Sequence, residues 1–128
     1  MPSKRHLVGW CAALLLLTSN PALAQQHLLV AEDATSAVAY RSQIGRVLTF
    51  ICPSKLNTNR EIWGTDVYMV ESPICTAAVH AGVLIQGRSG QVTIVIGPGA
   101  ASFEGVGRNG VKSSSYGPGD STYSFTKN

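Results

Sequence analysis

The sequence predicts an α+β domain in which one short buried helix, over about residues 73–81, is wrapped by antiparallel β-strands. Three observations carry that expectation. Between Ser72-Pro73 and Gly82 lies ICTAAVHA, in which nearly every residue is apolar or small, and a helix apolar nearly all round belongs in an interior. The runs VLTFIC (residues 47–52) and QVTIVI (residues 91–96) are β-branched and bounded by turn residues, as core strands are. Glycine-containing turn signals recur at short intervals through the C-terminal half, which suits closely spaced strands.

The elements follow in order. Lys4 and Arg5 precede an apolar stretch over residues 7–17, and Ala22-Leu23-Ala24 has the small-x-small form that signal peptidase requires. Residues 1–24 therefore read as a signal peptide cleaved after Ala24, giving a secreted or periplasmic chain that begins at Gln25. The apolar stretch is shorter than the ~18 to 20 residues of a membrane span, and no later stretch approaches that length. Cys11 follows Val8-Gly9-Trp10, and a bulky Trp there does not suit a lipoprotein cleavage site. Residues 25–39 read as an N-terminal arm or short first element, and the domain proper is expected over residues 40–126.

Within that domain, residues 47–52 form a strand ended by Pro53, and residues 54–60 (SKLNTNR) a polar loop. Residues 61–68 (EIWGTDVY) alternate apolar and polar, with a bulge or turn at Gly64-Thr65-Asp66. Ser72 is placed to cap the helix, Pro73 to occupy its first turn and Gly82 to end it in a left-handed conformation. Short strands are expected over residues 83–85, 91–96, 102–103, 111–115 and 122–126. Turns are expected at Gly87-Arg88-Ser89-Gly90, Gly97-Pro98-Gly99, Asn109-Gly110 and Tyr116-Gly117-Pro118-Gly119.

Charge and cysteine content narrow the function classes. The chain carries ten Lys/Arg and seven Asp/Glu; Lys4 and Arg5 fall in the leader, leaving eight against seven. A balance near zero without a basic cluster argues against tracking a nucleic-acid backbone. Cys52 and Cys75 are the cysteines outside the leader, and in an exported chain such a pair favours a disulfide over free thiols. Scattered His residues beside two Cys make no zinc signature, so neither metal nor cofactor is expected.

The segments WGTDVY, SPICTAAVHAGV, QVTIVI, RNGVKSSSYG and the terminal YSF occur in an order that resembles the LCCL domain, over nearly the whole chain after the leader. The resemblance implies an extracellular module with a central helix wrapped by sheets, associated with matrix and host-defence proteins and with lipopolysaccharide binding, and not established as catalytic. Animal members carry four cysteines in two disulfides. Here Cys52 matches the family's Cys-Pro and Cys75 the helix cysteine, but Leu56 stands where another cysteine is usual. A direct Cys52–Cys75 bond is the simplest repair.

Candidate site residues each have a structural reading beside the functional one. Ser72 and His80 are eight apart on one helix, roughly 12 Å by the helical rise, too far for proton transfer. Cys75 and His80 are five apart and do not share a face. His80 reads as a structural hydrogen-bonding residue of the last turn. Asp66 suits turn chemistry as well as a ligand contact. Trp63, Tyr68, Tyr116 and Tyr123 can form a stacking surface for sugar rings or belong to the core. Arg88, Arg108 and Lys112, with Asn109, fall in or beside turns, where they stay solvated or meet an anionic group. No nucleophile–base pair, paired carboxylates or metal set can be assembled. The expectation is a non-catalytic binding module for envelope glycan, lipopolysaccharide or a protein partner. A structural or adhesion protein without a small ligand is the alternative, and a hydrolytic enzyme comes third.

Overall fold

The computed structural model describes residues 27–127; the expected signal peptide and its cleavage point lie outside them. Among the described residues, eight strands and one α-helix occur in the order β1 (Leu28–Val30), β2 (Val47–Cys52), β3 (Gly64–Thr65), β4 (Val67–Met69), α1 (Ile74–Ala81), β5 (Gly90–Ala100), β6 (Gly107–Arg108), β7 (Val111–Lys112) and β8 (Gly119–Phe125), with a single 3-10 turn at Val38–Tyr40 between β1 and β2. Six strands form one sheet, ordered β1-β2-β5-β8-β4-β3, and β6-β7 is a separate hairpin. All pairings are antiparallel except β1 with β2, which is parallel. The architecture is the α+β arrangement expected.

Alternation in the strands decides which way the sheet faces. Leu48, Phe50 and Cys52 of β2 and Val92, Ile94 and Ile96 of β5 are buried, with less buried residues between them. This is the period of a sheet with one face on the core. Against that face lies α1, in which every residue from Ile74 to His80 is buried. The β6-β7 hairpin contacts the helix as well, so an element without a polar face has no need of one. Gly82 ends the helix at φ +80°, its N–H meeting the Ala78 and Val79 carbonyls. The Cys52–Cys75 disulfide, with Cα atoms 5.7 Å apart, ties the end of β2 to the first turn of α1. Leu56 is partly buried against the same core, so an apolar contact occupies the place where the animal pattern has a cysteine.

Several local expectations are corrected. Ser72 does not cap the helix: Pro73 is the N-cap residue, without a side-chain cap bond, because the Ser72 hydroxyl accepts the Trp63 N–H at 2.9 Å. The Ile74 N–H is satisfied by the Thr35 carbonyl instead, at 2.8 Å. Gly97-Pro98-Gly99 is not a turn but the continuation of β5, paired with Thr122 and Ser121 of β8. Its glycines serve close approach: a Cβ on Gly97 would lie 2.5 Å from Thr122 Oγ1, and one on Gly99 would lie 2.6 Å from the Gly119 carbonyl.

Residues 83–85 form no strand, since the Val83 and Leu84 N–H groups both return to the Ala78 carbonyl at the helix end. Phe103 makes only an isolated bridge with Tyr116, and the strand expected over residues 111–115 stops at Lys112, after which Ser114 bridges Trp63. N-terminal to Tyr40, Leu28–Val30 pairs with Thr49–Ile51, Ala31 and Ala37 are buried, and the Ala37 N–H meets the Val70 carbonyl.

Candidate functional site

His80 is fully buried. Its Nδ1 lies 2.8 Å from the Tyr68 hydroxyl and its Nε2 lies 2.9 Å from the Val106 carbonyl oxygen. A carbonyl only accepts, so Nε2 carries a hydrogen, and in the neutral ring Nδ1 then accepts the Tyr68 O–H. The His80 carbonyl in turn accepts from the Asn109 amide at 2.9 Å. Asn109 and Gly110 form the tip between β6 and β7, both at positive φ, as a tight hairpin turn requires. Asp66, at φ +65°, reverses the chain between β3 and β4 and accepts the Arg108 guanidinium at 2.9 Å. Asp66, Tyr68, His80, Arg108 and Asn109 are thus brought together as a brace from the β3-β4 hairpin across the helix end to the β6-β7 hairpin.

Tyr68 and Tyr123 are likewise fully buried, stacked with centroids 5.8 Å apart. Tyr123 donates to the Ser72 carbonyl at 2.8 Å. Burial pushes the Tyr68 hydroxyl up to about 12 and that of Tyr123 well above the usual phenol range. These two rings belong to the core and cannot stack on a ligand, which removes them from the expected sugar-stacking set.

Trp63 and Tyr116 remain in that set. Ile62 is buried, so alternation turns Trp63 outward, and it meets Tyr116 edge to face at 6.3 Å and 67°. Tyr116 is 51 % exposed. The two line a cleft of about 490 Å³ together with Met69, Arg41, Glu71 and Asp120. Across it, the Arg41 guanidinium lies 2.7 Å from Glu71 and 3.6 Å from Asp120. Arg41 Nε and Glu71 Oε2 are buried without hydrogen-bond partners, so the cluster has a donor and an acceptor to spare.

Sequence reasoning did not single out Arg41, Glu71 or Asp120. They come from three distant stretches, and nothing local marks them. Arg88 and Lys112 stand exposed, and Lys112 lies on β7 of the same hairpin as Arg108 and Asn109, lining a shallow depression with them. Among the described residues no three His, Cys, Asp or Glu converge as metal ligands, and no helix is long and apolar enough to cross a membrane.

A family profile described as the LCCL domain matches residues 28–123. The chain belongs to the LCCL domain family. This LCCL domain is 34 % identical over 80 residues to clotting factor C of Tachypleus tridentatus, covering 62 % of this chain and 8 % of that protein. It is 36 % identical over 70 residues to the human cysteine-rich secretory protein LCCL domain-containing 2, covering 52 % of this chain and 14 % of that protein. The chain therefore spans a small part of the length of these relatives. The matched region starts at the first residue of β1.

Proposed function

We propose that this LCCL domain is an exported, non-catalytic binding module whose site is the Trp63–Tyr116 cleft and whose ligand is a cell-envelope glycan. One observation carries the reading: two aromatic side chains outside the core form one wall of a cleft whose other wall is an ion-pair cluster. Aromatic faces suit the C–H surfaces of a pyranose ring, and a few convergent charged groups that fix orientation are what a small-ligand cleft requires. Carboxylates and a guanidinium also make the stronger, charge-assisted hydrogen bonds to hydroxyls. The cluster holds one cation against two carboxylates, so it disfavours phosphate. Of the lipopolysaccharide that the family resemblance implies, the polysaccharide part fits this cleft and the phosphorylated lipid does not.

The non-catalytic reading is supported by His80, whose two ring nitrogens are both engaged and buried. Export is supported by the Ala22-Leu23-Ala24 site and by a buried disulfide, which suits an oxidising compartment. With the leader removed, Trp63 is the protein's sole Trp, and its fluorescence reports on the cleft directly. Titration with delipidated O-polysaccharide and with peptidoglycan fragments should give a saturable change that Tyr116→Ala weakens at least tenfold. No change with any saccharide, together with tight binding to lipid A vesicles, would overturn the reading.

A further inference from the structure

The aromatic cleft is not isolated. Residues 61–64 and 112–116 run side by side, joined by the parallel bridge Trp63–Ser114 and by two backbone bonds, Ser114 N–H to the Ile62 carbonyl at 2.8 Å and Gly64 N–H to the Ser114 carbonyl at 3.2 Å. Residues two apart on extended chain point to the same side. Glu61 and Trp63 on one segment, and Lys112, Ser114 and Tyr116 on the other, therefore share one outward face. Contacts across the pair agree: the Ser114 hydroxyl donates to Glu61 at 3.3 Å and the rings of Trp63 and Tyr116 touch. Glu61, Ser114 and Lys112 line a second depression of about 430 Å³ that also reaches Arg60.

Resting on the glycan reading above, we propose that these two depressions are successive subsites of one groove, so that the ligand is an uncharged oligosaccharide strand and not a single sugar or a chain end. From Lys112 to Tyr116 the groove runs roughly 13 Å by the rise of extended chain, longer than one sugar ring. The aromatic half supplies stacking and the Glu61–Ser114–Lys112 half supplies hydroxyl partners. Both halves are lined with side chains from the same two segments, so a strand lying along the bridge meets them in sequence without crossing a ridge of core residues. Charge along the groove also argues for a neutral ligand: Lys112 and Arg41 face Glu61, Glu71 and Asp120, and Arg60 is occupied by Asp33 at 3.1 Å.

The test is calorimetric titration of the full protein with two length series, N-acetylglucosamine oligomers and mannose oligomers of one to six sugars. In the series that binds, Kd should fall at least tenfold between one sugar and four and then level off. The double substitution Glu61→Ala/Lys112→Ala should flatten that length dependence while leaving the affinity for the single sugar within about twofold. Trp63→Ala should abolish binding at every length. Affinity equal for one sugar and four would overturn the groove and leave the single-site reading standing. No binding of either series at any length would overturn the neutral-strand groove, and binding untouched by Trp63→Ala would overturn both the groove and the cleft.

Discussion

Replacing His80 by Ala removes the side chain on which the brace converges, and the cost can be worked from its partners. The Val106 carbonyl also accepts the Ser113 N–H at 3.0 Å and the Ser113 hydroxyl at 3.1 Å, so it stays satisfied when the Nε2–H is lost. The Tyr68 hydroxyl sits on a side chain with no exposure and cannot turn to water. A buried hydroxyl left unsatisfied costs about 1–3 kcal/mol, and the void left by the ring adds on the order of 1 kcal/mol. The total, about 2–4 kcal/mol, corresponds to a drop in unfolding midpoint of roughly 10–25 °C for a domain of this size. Thermal melts followed by circular dichroism measure it, with the disulfide intact throughout. His80→Gln can replace one of the two bonds and should fall between wild type and His80→Ala. Tyr68→Phe completes a double-mutant cycle. Deleting the hydroxyl should destabilise the wild type and be neutral or favourable beside His80→Ala, because there it removes the orphaned group. An unshifted midpoint for His80→Ala, or a Tyr68→Phe effect equal in both backgrounds, would refute the reasoning.

Other expectations rest on different parts of the fold. Gly64 has φ +102°, and a Cβ there would lie 2.2 Å from the Val67 carbonyl. Gly64→Ala should lower stability by more than the roughly 1–3 kcal/mol of a strained backbone alone, whereas Gly107→Ala, with nothing near its added Cβ, should stay within ~0.5 kcal/mol; denaturant titration compares the two. The Cys52–Cys75 bond spans 23 residues, so Cys52→Ala/Cys75→Ala should cost about 3.5 kcal/mol in the chain-entropy account, and the mature wild-type protein, freed of the leader that holds Cys11, should show no alkylatable thiol before reduction by intact mass. Tyr68 and Tyr123 ionise less readily folded than unfolded. Stability is therefore fully present below the ordinary phenol value of about 10 and declines as pH rises toward 12. In a Tyr40→Phe/Tyr116→Phe background, which leaves only the two buried rings, phenolate absorbance should rise in step with loss of circular dichroism, and full ionisation of a still-folded protein would contradict the burial.

What could be read from sequence was what neighbouring residues decide. The helix shows in its unbroken apolar composition between Pro73 and Gly82, and β2 and the start of β5 in their β-branched runs. The Asn109-Gly110 turn shows in the one dipeptide that tolerates two positive φ values. Gly97-Pro98-Gly99 misled because its glycines answer to Thr122 and Gly119 on another strand. Ser72 misled because Trp63, nine residues earlier, competes for the hydroxyl that would have capped the helix. Trp63 and Tyr116 could be named but not separated from Tyr68 and Tyr123, since only the closed sheet decides which rings it covers. Arg41, Glu71 and Asp120 had no local signal at all: their meeting is a property of where β4 ends and β8 begins beside the turn after Tyr40.

The strand order β1-β2-β5-β8-β4-β3 places β8, the last in chain order of the strands described, inside the sheet between β5 and β4. Until residues 119–125 arrive, no strand joins β4 and β3 to β5 and the rest of the sheet, and the Ser72 carbonyl lacks its Tyr123 partner. Such a chain cannot settle piecemeal from its N-terminus. Closing contacts so distant in sequence is slow, and an incomplete chain keeps its apolar strands exposed to aggregation. Under the export proposed above, that delay would be an advantage: the polypeptide would stay unfolded, and so transportable, until residues 119–125 are through the channel.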